Sequence, residues 1–127
     1  MQRRIGAIVA LICLVLCASV VWAGGDSAQV AVKGYVLDSA CAFTKSLAKP
    51  ISKECANQCA SAGSPLVILG DDGTIYWPIA GTTPASGQNS KLVAFAGAKV
   101  TVHGKVYERG GSHAIVIDRI DAEPPHK

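Results

Sequence analysis

"AGAKVTVHGKVYERGGSHAIVIDRID", residues 96–121, decides how this chain is read. Val100, Val102 and Val106 recur at every second residue with Gly104 among them, the period of a strand with one face against a core. A glycine inside such a face, with no side chain to pack, suits a bend or bulge. A second run, "HAIVIDRID" (113–121), follows after Arg109-Gly110-Gly111-Ser112. The stretch therefore predicts two strands, 99–108 and 113–121, joined by a tight glycine-bearing turn.

Working outward, "KLVAFAG" (91–97) reads as a short helix closed by Gly97, since glycine adopts the left-handed closing conformation readily. It emerges from "AGTTPASGQNS" (80–90), a loop by its glycine, proline and serine content. Before that lies a hairpin, Leu66–Leu69 and Thr74–Ile79 around Gly70-Asp71-Asp72-Gly73, where aspartate and glycine tolerate turn backbone. "QVAVKGYVLD" (29–38) alternates as a strand. Five strands with a helix between the third and fourth is the order of an oligonucleotide/oligosaccharide-binding (OB) barrel. The 96–121 stretch is similar to the last two strands of such barrels. The expected fold is mainly β, an OB-like barrel over 30–121 with a cysteine-bearing helical insertion between its first two strands.

The N-terminus bears on the compartment. Arg3 and Arg4 precede an apolar run of 17 residues, Ile5–Val21, and Val21-Trp22-Ala23 has the small-residue pattern of a cleavage site. That order of parts predicts a signal peptide over 1–23. A retained anchor is the rival, although the run is at the short edge of a membrane span. Taking Arg3 and Arg4 from the 12 basic residues leaves 10 against 9 acidic, so the processed chain is nearly neutral. With that basicity goes the argument for nucleic acid or an anionic membrane as partner. The expectation is a periplasmic or secreted protein with no membrane span after processing. Its partner would be an unspecified protein or small molecule, and its polar tail, 122–127, disordered.

Processing also reduces five cysteines to three, Cys41, Cys55 and Cys59. "KECANQCASAG" (53–63) is alanine-rich, with Ser52 as cap, Pro50 at an early position and Gly63 as stop. On such a helix Cys55 and Cys59 lie side by side. Cys41, separated from Cys55 by 13 residues and expected at the end of the first strand, can fold back onto them.

Three readings follow. A disulfide from Cys41 to Cys55 or Cys59 would staple the insertion, worth about 3 kcal/mol for a loop this long. Alternatively the three thiolates would converge on a soft metal such as Cu or Zn, with Asp38, His103 or His113 as a fourth donor. A thiol–disulfide exchange protein is the third, although the chain has no Cys-x-x-Cys.

Asp38-Ser39-Ala40-Cys41 and Cys55-Ala56-Asn57-Gln58-Cys59-Ala60 together resemble a group of small secreted bacterial proteins without established activity. In these an Asp-x-x-Cys ends the first strand and a Cys-Ala-x-x-Cys-Ala helix precedes the hairpin. Members often carry a histidine three residues before the second cysteine. Ser52 stands there in this chain, so no ligand role passes to that position.

The remaining candidates have plainer readings. His103 and His113 fit surface positions on adjacent strands. Tyr76-Trp77 could form a stacking platform for a sugar or base, but neighbouring strand residues face opposite sides, which divides such a pair. Asp71 and Asp72 are turn residues. No Ser-His-Asp set, phosphate loop, paired-carboxylate cleft or HExxH occurs, so the expected role is a non-catalytic binding or accessory module.

Overall fold

The structure, a computed structural model, describes residues 27–45 and 52–124. The expected signal peptide, Pro50 and residues 125–127 lie outside the described residues. Five strands close into a barrel in the order β1-β2-β3-β5-β4: β1 (Ala28–Asp38), β2 (Leu66–Gly70), β3 (Ile75–Pro78), β4 (Lys99–Arg109) and β5 (Ser112–Ala122). All neighbours are antiparallel except β3 and β5, which run parallel. The expected OB-like barrel is present, with α3 (Asn89–Leu92) and a 3-10 turn (Val93–Phe95) between β3 and β4. Two helices, α1 (Ser39–Thr44) and α2 (Lys53–Ser61), occupy the insertion between β1 and β2.

Barrel closure falls on β1. Its first part pairs with β4, from Ala28 opposite Val106 to Tyr35 opposite Lys99. Its second part pairs with β2, from Gly34 opposite Gly70 to Asp38 opposite Leu66. Gly34 and Tyr35 thus belong to both ladders. At Gly34 the backbone of Leu69 comes so close that a Cβ would collide with its carbonyl oxygen. Glycine is required there by close approach, not by an unusual φ.

The alternating valines of the opening stretch face inward as expected. Val100 and Val102 are wholly buried, with Val32, Val36, Leu66, Ile68, Ile115 and Ile117, and Leu92 of α3 completes this core. The bulge read at Gly104 is real: His103 pairs with Arg119 but Gly104 with Ile117, so Asp118 is the extra residue. A Cβ on Gly104 would meet the Val116 carbonyl oxygen. Gly63 and Gly97 close their segments with φ of 89° and 74°.

The last strand runs further than the sequence suggested. It reaches Ala122, and the Glu123 N–H donates to the Lys99 carbonyl at 2.9 Å, so 122 and 123 continue the barrel. Among the described residues no helix is long and apolar enough to cross a membrane.

Gly104→Ala should destabilise the barrel by about 1–3 kcal/mol in urea unfolding, the usual cost of overfilling a packed site. Gly87→Ala, where nothing lies within 4 Å of the added methyl, should change stability by less than about 0.5 kcal/mol.

Candidate functional site: a thiol cluster capped by a buried aspartate

Asp38 ends β1 and is 4 % exposed, the one buried charged residue of the described chain. Its position is dictated locally. The Ser39 N–H donates to the Pro65 carbonyl at 2.9 Å, which carries the β1–β2 register one step past Asp38. The Asp38 Oδ1 then accepts from the Cys41 N–H at 2.8 Å and caps α1. Hydrogen bonding with the Cys41 thiol lowers the Asp38 pKa most. Burial opposes this, and the Cys41 and Ala40 N–H groups and the Ser64 side chain lower it further. The same pairing pushes the Cys41 thiol up to about 11, with burial and the Asp38 charge acting in the same direction.

The second element is α2. Ser52 caps it as expected, its Oγ accepting from the Cys55 N–H at 3.4 Å. Ala56 points inward at 3 % exposure, which leaves Cys55 exposed and Cys59 half-buried. The helix start lies against Gly97, where a Cβ would meet the Lys53 Cα. Cys55 and Cys59 approach to 4.4 Å with no bond between them. Burial raises the Cys59 pKa, and the charges of Asp38 and Cys55 add to this. Cys55 likewise acts on Cys41. The three cysteines and Asp38 therefore stand at one end of the barrel, where β1 ends and β2 begins.

The expected arrangement is corrected in two respects. All three cysteines are free, so neither a Cys41–Cys55 nor a Cys41–Cys59 disulfide is formed. Nor do three His, Cys, Asp or Glu side chains among the described residues converge closely enough to hold a metal ion. The reason is local. Cys41 is not the last residue of a strand but lies in the first turn of α1, with its thiol directed to the carboxylate that caps it.

The histidines do not join the cluster. His103 Nε2 is 3.2 Å from Asp121 and His113 Nδ1 4.0 Å from Glu108. Tyr76 and Trp77 divide as strand neighbours do. Tyr76 packs against the core and edge-on to His113, while Trp77 lies on the outer face beside Phe43, ring centroids 6.1 Å apart.

Two participants were not anticipated. Phe43 is carried by α1, whose six residues are too few to show a periodic pattern. Asn89 bridges distant segments, its Oδ1 accepting from the Leu66 N–H at 2.9 Å and its Nδ2 donating to the Ser64 carbonyl at 2.7 Å. The signal for it was no more than an asparagine just before a helix.

Asp38→Ala should cost about 1 kcal/mol or more through the lost cap. Because the folded-state pKa of Asp38 is lowered, its charge stabilises the fold above the ordinary carboxylate range. That contribution is lost as pH falls through the folded value. Asparagine keeps the cap without the charge. The stability gap between wild type and Asp38→Asn should therefore be constant near neutrality and shrink below about pH 4 in acid-titrated urea melts.

Compared with family models, curated proteins and solved structures, the chain matches none significantly.

Proposed function

We propose that this chain is an exported, non-catalytic binding module whose determinant is the thiol cluster, with a soft cation such as Cu(I) or Zn(II) as ligand. One observation carries the reading: Cys55 and Cys59 stand 4.4 Å apart on one face of α2, at the same end of the barrel as Cys41 and the buried Asp38 carboxylate. In kind, this donor set suits a thiophilic ion. In geometry, Cys55 and Cys59, one helical turn apart on α2, are the pair that a thiophilic ion would bridge first. Cys41, held by Asp38, does not converge with this pair and would join it only by moving. Its thiol would have to leave the carboxylate, and the metal supplies the drive for deprotonation.

The raised pKa values of Cys41 and Cys59 favour this reading over thiol–disulfide exchange. Attack on a disulfide needs a thiolate, which burial and the Asp38 charge disfavour at both groups.

The test is equilibrium dialysis of the reduced protein against buffered Cu(I) and Zn(II), with urea melts of the loaded and metal-free forms. Binding of one equivalent should stabilise the fold by about 2.7 kcal/mol at a free ion concentration of 100 Kd. Cys55→Ser and Cys59→Ser should abolish that gain while leaving the metal-free melt within about 0.5 kcal/mol of wild type. A Cys41–Cys55 disulfide in the protein as exported, with loss of about 2–5 kcal/mol on reduction and no bound metal, would establish the staple instead.

A further inference from the structure

The β2–β3 ladder contains two pairs, Ile68 with Tyr76 and Leu69 with Ile75. Continued in register it would set Leu66 opposite Pro78. Proline has no N–H to donate, so the ladder opens there. The opening is a concavity of about 400 Å³, bordered by Pro65, Leu66, Trp77, Pro78, Gln88 and Asn89. Trp77 also borders a second concavity of about 300 Å³, shared with Phe43, Thr74, Ser112 and His113. The indole is thus the ridge between two adjoining hollows. Phe43 extends this ridge, 65 % exposed and inclined 30° to the indole.

The lining determines what such a surface takes. Among the described residues no Lys, Arg, Asp or Glu borders either hollow, whereas a third concavity, beside Val30 and Val106, has Lys33, Asp71 and Asp72 in its wall. A phosphate-bearing ligand would find no lysine or arginine here among the described residues. The polar side chains are amides, hydroxyls and the His113 imidazole. Among them Gln88 gives its Nε2 to the Ser86 carbonyl at 2.9 Å, while its Oε1 has no donor among the described residues. An added peptide strand is disfavoured, because the Leu66 N–H and Ser64 carbonyl are already held by Asn89. Pro65 and Pro78 blunt the rest of that edge.

From these features we infer that the Phe43–Trp77 ridge and its two hollows bind a neutral oligosaccharide. One sugar ring lays its C–H face on the indole, and hydroxyls reach the amides and hydroxyls on either side. The site is independent of the thiol reading, sharing only α1 with it.

The chain has two tryptophans, Trp22 in the leader and Trp77, so indole fluorescence of the processed protein reports on this ridge alone. The purified exported protein is titrated with neutral hexasaccharides of glucose and of N-acetylglucosamine, by fluorescence and calorimetry. At least one should bind with a shift of the indole emission, with equal affinity at low and high salt. Trp77→Ala should weaken binding about tenfold or more, as loss of a stacking platform does, and Phe43→Ala by a smaller factor. Both variants should retain the wild-type circular dichroism and cooperative melt, and Lys33→Ala should bind as wild type does. The inference is overturned if neither sugar binds at millimolar concentration, or if binding survives Trp77→Ala. It is equally overturned if a proline-rich peptide or single-stranded DNA competes for Trp77 and the sugars do not.

Discussion

Everything in this molecule depends on one strand serving two ladders. β1 gives its first part to β4 and its second part to β2, and the exchange happens at Gly34 and Tyr35. Main-chain groups in the wall of a closed barrel are paired around its circumference, which removes the free edges an open sheet would present. The close approach of the Leu69 backbone at Gly34 is what this arrangement demands. The register shift at Gly104, where β5 carries the extra residue Asp118, leaves Val100 and Val102 facing inward.

The candidate site is a consequence of where β1 stops. Asp38 is its last residue, and burying a carboxylate there is costly unless its oxygens are satisfied. The chain satisfies them by turning at once into a helix whose first N–H groups point back at the charge. That turn sets Cys41 beside the carboxylate and swings Phe43 over the outside of β3, so one local requirement places both the thiol cluster and the aromatic ridge. Asn89 acts similarly at the other side, holding the start of β2 where no strand neighbour reaches it.

The barrel was largely legible because its signals are local. Alternation in 99–121, the Gly70–Gly73 turn, the Gly104 bulge and the Ser52 cap each follow from a few adjacent residues. The site was legible only as a set of names. Sequence spacing correctly put Cys55 and Cys59 on one helical face. It could not show that Cys41 would be engaged by Asp38, because that depends on a cap three residues long beside a distant Pro65 carbonyl. Phe43 against Trp77 and Asn89 against Ser64 are tertiary contacts with no periodicity to announce them.

The double duty of β1 also bears on how the chain is made. A ribosome delivers β1 first, and β2 can join it soon after, yet the strand that covers its other side begins only at Lys99. Until then the apolar run around Val30 and Val32 presents bare main-chain donors and acceptors to its surroundings. Late pairing between the ends of a chain is slow, and such half-covered strands are where neighbouring molecules associate. Lys33, pointing outward in the middle of this run, puts a charge on the strand that waits longest.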